Sequence, residues 1–212
     1  MPNIIDTTYF QKANGLNIPL SQSAPISNVA MQTPNNVQAL ELLIAKVEKS
    51  ILLNALGLTT YNTLQLALAD IDNPLYASYK KLVEGDEYDG KVWIGLDNEY
   101  SLIAYRIFEQ FITETNEHLT GIGNTQGKPE KSTLVTPAYK IANANQNFAE
   151  KYQGGYLEFP NVYFDGLFID WFGCNSGVEV SLYQYLTDKA NDFSDLVMTN
   201  FKTYDTQNSF GI

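Results

Sequence analysis

One cysteine, Cys174, stands in 212 residues. An internal disulfide is therefore excluded, and the fold has to be held by packing and hydrogen bonds. Histidine is equally scarce: His118 is alone, so any Ser/His/Asp or Cys/His mechanism would depend on that single side chain. Charged residues make up only 17 % of the chain, and basic ones are the rarer kind, with Lys+Arg 13 against Asp+Glu 24 and a formal charge of -11. That balance argues against gripping a nucleic-acid backbone, where affinity comes from Lys and Arg on phosphates. It is compatible with a negative wall that DNA passes without sticking. No apolar run approaches the roughly 18 residues that would mark a membrane helix. The opening MPNIIDTTYFQKANG has no basic segment followed by an apolar run, so it does not read as a secretory signal. Synthesis in a reducing cytoplasm is the expectation.

Aromatic side chains are what the sequence has in surplus: Tyr 14, Phe 11 and Trp 2, together 13 %. A tyrosine-rich, charge-poor surface suits contact with other proteins, because interface cores are enriched in aromatics and depleted in charge. The apolar fraction of 44 % is ordinary for a globular chain, and the length suffices for one sizeable core with appendages.

Hydrophobic spacing predicts a mainly α fold. The longest helical stretch is Asn98 to Leu119, with Ala104, Tyr105, Phe108, Phe111, Ile112 and Leu119 on one face and Leu102, Ile103 and Ile107 widening the stripe. Asp97 or Asn98 is expected to cap its start and Gly121 to end it. Ahead of it, Thr33-Pro34 opens a helix through Val37, Leu40, Leu43, Ile44, Val47, Ile51 and Leu52 that Gly57 stops. Thr59 or Thr60 caps a second helix through Tyr61, Leu64, Leu68 and Ile71, and Asn73-Pro74 starts a third, closed by Gly85. Residues 86–96, DEYDGKVWIGL, read as a β-hairpin around the turn pair Asp89-Gly90. Pro137 opens a later helix through Phe148 and Tyr152 to Gly154-Gly155, and residues 181–197 read as the last one. Residues 156–180 read as short strands or irregular aromatic packing.

Three segments lack a period of their own. Residues 1–33 form an expected N-terminal arm, whose Ile4, Ile5, Tyr9 and Phe10 should contact something. Residues 120–136 form a long loop inside a helical core spanning 34–198, and residues 199–212 a C-terminal tail. A loop that long is expected to be functional or mobile.

Constellations that could carry chemistry are weak. Glu114 and His118 stand one helical turn apart, but no Cys or second His completes a metal site. GIGNTQGK at 121–128 fails as a phosphate loop: Ile122 stands where its first Gly is needed, and Pro129 follows Lys128 where Ser or Thr is required. The acidic cluster Glu84, Asp86, Glu87 and Asp89 lacks calcium-loop spacing. Asp165 and Asp170 are a carboxylate pair with no evident partner. No catalytic, cofactor-binding or metal residue is assigned.

Three segments in order carry a resemblance. They are ILLNALGLTTYNTLQ at 51–65, EGDEYDGKVWIGLDNEYSLIAYRIFEQFI at 84–112, and the ending SLYQYL…NSFGI. Together they resemble head-to-tail connector proteins of tailed bacteriophages, particularly crAss-like and related phages of Bacteroides-type hosts. The likeness covers roughly residues 35–212 and lies in order and texture rather than in an invariant motif. It implies a helical, non-enzymatic virion protein without a cofactor. Such a subunit forms a homo-oligomeric ring, usually of twelve, at the portal vertex or neck, after assembly in the host cytoplasm. Its partners would be further copies of itself, the portal protein and other tail or ring proteins. DNA would pass through the channel without specific binding, and no membrane is involved. A heterologous ring needs two different patches per subunit. Gly121, Gly123, Gly127, Lys128 and Leu134 of the long loop are expected between subunits. Phe201, Tyr204, Phe210 and Ile212 are expected to dock on a partner. The rival expectations are a small-ligand-binding or enzymatic helical domain with a pocket at aromatic residues 156–172, and a free-standing regulatory binding protein.

Overall fold

The computed structural model describes residues 2–11, 16–18, 36–116, 118–120, 123–125, 138–154 and 179–204. The fold is mainly helical with small two-stranded sheets. Its first long element, α1 (Asn36–Ala69), lays Leu40, Ile44, Val47, Ile51, Leu52 and Leu56 into the core. It breaks at Gly57, where φ 74 and ψ 172 leave helical space. That backbone region is open essentially to glycine alone, so the stop expected there is present. The cap expected from Thr60 is not: its hydroxyl is buried without a hydrogen-bond partner, because the residue faces the core. Asn73 Oδ1 accepts from Leu75 N at 3.1 Å and opens a single tight turn, Pro74–Tyr76. Helix α2 (Ala77–Glu84) follows and ends at Gly85.

The hairpin is β1 (Asp86–Tyr88) and β2 (Lys91–Trp93), antiparallel with Tyr88 opposite Lys91. Asp89 (φ 47) and Gly90 (φ 75) both take positive φ, as a type I′ turn requires. Gly85 and Gly95 let the hairpin sit tight on α2; a Cβ at Gly95 would lie 2.5 Å from the Val83 carbonyl oxygen.

Helix α3 (Leu102–Asn116) is shorter at both ends than its periodicity suggests. Asn98 makes a turn instead of a cap, its Oδ1 accepting from Tyr100 N at 2.9 Å. Ser101 caps the helix, with its Oγ accepting from Ile103 N and donating to Leu96 O. At the other end the backbone turns into β3 (His118–Thr120), paired with β4 (Gly123–Thr125). His118 and Leu119 are thus strand residues, Gly121 is not the helix terminator, and the long loop begins inside a second hairpin. Residues 118–120 find their backbone partners in 123–125 rather than in the preceding helical turn.

Helix α3 packs on α1 and on α4 (Ala138–Gln153). The last helix, α5 (Leu182–Asp188), is capped by Ser181, whose Oγ accepts from Gln184 N at 3.2 Å. It stops nine residues short of the expected end, and 3-10 turns follow at Ala190–Asp192 and Met198–Asn200. Phe193 reaches the core from extended backbone (φ -119, ψ 102), so its burial did not require helix.

Candidate functional site

Three places combine buried polar groups with long-range partners. The first is the C-terminal segment 201–204. Tyr204 pairs with the end of α4 as a strand would: its N–H donates to Gln153 Oε1 at 2.8 Å, and its carbonyl accepts from Gln153 Nε2 at 2.9 Å. Lys202 N donates to Asn54 O at 2.9 Å, and the Tyr152 hydroxyl donates to Lys202 O at 3.0 Å. The Tyr204 ring meets Phe148 and Tyr152 edge-on, with both centroid distances 5.0 Å. The Arg106 guanidinium lies over Phe148 (5.4 Å) and Tyr204 (5.3 Å) while holding Glu109 at 2.8 Å. Burial pushes the Tyr152 hydroxyl far above the ordinary tyrosine range, with Tyr204 beside it adding to the shift. It is therefore a neutral donor at any ordinary pH.

Phe201 and Tyr204, expected to dock on a partner, already have contacts within the subunit. Both are partly buried against the chain's own core, because the aromatic face of α4 offers them partners within the subunit. Phe210 and Ile212 lie outside the described residues, as do Gly121, Gly127, Lys128 and Leu134 of the expected inter-subunit loop. Gly123 starts β4. The expected pocket at 156–172 is also outside them.

The second place joins the first hairpin to α5. Asp188 Oδ2 accepts from Tyr88 Oη at 2.9 Å and from Lys91 Nζ at 2.6 Å, while Gln184 donates to its other oxygen at 2.7 Å. Burial pushes Asp188 up, but those hydrogen bonds outweigh it and hold the carboxyl below its usual range. Asp86 sits between Lys81 (3.1 Å) and Lys189 (3.9 Å), and Lys189 also lies over the Tyr88 ring at 4.4 Å. Beneath them Trp93 stacks on Tyr185 at 5.3 Å and donates its indole N–H to Leu82 O at 2.9 Å. The charges are paired and the rings stacked, so the arrangement fastens elements together rather than presenting a reactive group. A cavity of about 10 Å³ beside it, lined by Trp93, Leu102, Lys151, Glu179 and Val180 among others, has room for one water and not for an organic ligand.

The third place is Glu48 on α1. Both its oxygens accept from Ile4 N at 3.0 Å, and Oε2 also accepts from Ile5 N at 3.3 Å. The N-terminal segment is thus docked, with Ile5, Phe10, Leu16 and Ile18 in the core and Ile18 N bonded to Phe10 O at 3.0 Å. Periodicity gave no hint of this. The available signal was Glu48 itself, which falls among Ile44, Val47, Ile51 and Leu52 on the apolar stripe of a helix.

Among the described residues no cluster of three or more His, Cys, Asp or Glu side chains could hold a metal ion, and no helix is long and apolar enough to cross a membrane. No family model, curated protein or solved structure matches the chain.

Proposed function

We propose that this chain is a structural subunit of a closed ring at the portal vertex of a tailed phage, joining the portal to the tail and extending the DNA channel. The observation that carries the reading is apolar side chains left in solvent on an otherwise well-packed subunit. Leu42, Leu58 and Leu66 on α1 are 74 %, 67 % and 62 % exposed, Leu75 beyond it 85 %, and Tyr139 at the start of α4 83 %. Single exposed leucines are common, but Leu42 before the Gly57 break and Leu58 and Leu66 after it, in a charge-poor chain, make sense as contact points for a neighbour. The connector resemblance supplies the kind of assembly, and the charge of -11 suits a subunit beside a channel that DNA must leave freely.

In this reading the subunit performs no catalysis and binds no cofactor; its work is geometric. Two unlike faces meet around the ring, and the fastened hairpin, α5 and C-terminal segment keep those faces in fixed relation. The test is a Leu42→Glu, Leu66→Glu double variant. Its stability should stay within about 1 kcal/mol of the parent chain, since each is a surface change, while incorporation into particles should be lost. Normal incorporation would remove this helix from the interface.

A further inference from the structure

We propose that two unlike faces of α1, one on each side of its break at Gly57, seat against each other between neighbouring copies of this chain. The Leu42, Lys46 and Lys49 face of one copy lies on the Leu58, Leu66 and Asp70 face of the next. The inference builds on the ring reading, which requires two different patches per subunit; exposure and charge select them. All six side chains are exposed.

Before the break, Leu42, Lys46 and Lys49 follow one another at helical spacing and share one face, while Ile44, Val47 and Ile51 are buried. Among the described residues no carboxylate pairs with Lys46 or Lys49, although the chain holds Asp+Glu 24. Glu41 is turned aside, lining a cleft with Asn3, Asp6 and Thr7 of the N-terminal segment. After the break, Leu58, Asn62, Leu66 and Ala69 form a second exposed stripe. No charged residue stands anywhere from Ser50 to Ala69, and the run ends at Asp70. The Asp70 carboxylate accepts from Asn73 Nδ2 at 3.1 Å, and among the described residues no cation pairs with it. Its neighbour Asp72 is already held by Lys80 at 2.5 Å.

The occupant of each face is a second copy because each supplies what the other lacks. A chain of formal charge -11 repels its own copies over most of its surface. The uncharged stretch 50–69 is where a copy can approach without meeting a like charge, and the lysine face is where an acidic copy gains attraction. Lysine stems lie along apolar surface while their ammonium groups stay in water, so Lys46 and Lys49 can cross the leucine stripe and meet Asp70 at its end. The pairing is heterologous. Two lysine faces set against each other would oppose like charges, and so would two Asp70 ends laid side by side, so neither face is complementary to itself.

The test is cross-linking of the purified full chain by a short bismaleimide, with Cys174→Ser as the background. A chain carrying Leu42→Cys, mixed with a chain carrying Leu66→Cys, should give a covalent dimer, and neither chain alone should. Lys46→Glu with Lys49→Glu on the first chain should lower the yield by about tenfold. Asp70→Lys on the second chain should then recover it. Circular dichroism checks that each variant keeps its helix content, as expected for surface changes. No dimer in the mixture, equal dimer from either chain alone, or a yield indifferent to both charge reversals would overturn the pairing. The ring reading fails separately. Cross-linking faces with a lone subunit in the particle would keep the pairing and reject the ring; an intact ring whose copies do not cross-link here would keep the ring and reject the pairing.

Discussion

Replacing Tyr204 by alanine asks whether the C-terminal segment belongs to the subunit's core or waits for a partner. The ring makes two edge-to-face contacts, with Phe148 and Tyr152, each at 5.0 Å; such pairs contribute about 0.5–1.5 kcal/mol apiece beyond their burial. The Arg106 guanidinium over the ring adds about 0.5–1 kcal/mol, and the hydrogen bond from Asn54 Nδ2 to the hydroxyl, 2.9 Å, about 1 kcal/mol. These overlap, and the side chain is only partly buried, so the expected loss is about 3 kcal/mol, the low end for an aromatic truncated to alanine. Tyr204→Phe removes the hydroxyl alone and should cost about 1 kcal/mol. Urea denaturation of the isolated subunit measures both. For a chain of this size the alanine change should also lower Tm by about 6–12 °C. A loss under about 0.5 kcal/mol, as for an ordinary surface site, would mean that the segment is not held by the core and would restore the free docking tail.

Phe111→Ala in α3 should cost about 3–5 kcal/mol in the same assay, since the ring is buried; a change below about 1 kcal/mol would remove Phe111 from the core. Gly57→Ala should destabilise by about 1–3 kcal/mol, because φ 74 with ψ 172 excludes a side chain; a gain in stability would mean that the two halves of α1 can run straight. Trp93→Phe leaves Leu82 O without its indole donor and should cost about 2–4 kcal/mol, with near-ultraviolet circular dichroism reporting loss of the Tyr185 stack. Glu48 is raised in the folded chain, so it binds protons more tightly there than when unfolded. Its contribution is fully present below pH 4.5 and is lost as pH rises to about 7. The unfolding free energy should therefore fall by about 3 kcal/mol across that window, and by much less in Glu48→Gln.

The elements legible in the sequence are those whose signal is local. Asp89-Gly90 specifies its turn because both positions need positive φ, and Gly57 marks its break for the same reason. The core stripe of α3 follows from spacing alone. What was illegible depends on partners far along the chain. Ile5, Phe10, Leu16 and Ile18 have no helical or strand period, yet they are buried in a segment whose backbone Glu48 holds at Ile4 and Ile5, more than forty residues from itself. Phe201 and Tyr204 look unattached in sequence, and it is the Gln153 amide and the rings of α4 that hold them. The Arg106 guanidinium lies over the Phe148 and Tyr204 rings, contacts that spacing along its own helix does not announce. The end of α3 was misplaced because His118-Leu119 continues a helical spacing while the backbone pairs with 124–125. Of the expected site residues, Phe201 and Tyr204 pack, partly buried, against the subunit core, and Gly123 lies in a strand.

The ring itself is tested most directly by the mass of the native assembly, measured on the protein released intact from particles. A closed ring of twelve 23.8 kDa chains should weigh about 286 kDa and show rotational symmetry in electron micrographs. Recovery from the particle as a lone 23.8 kDa subunit would contradict the connector reading.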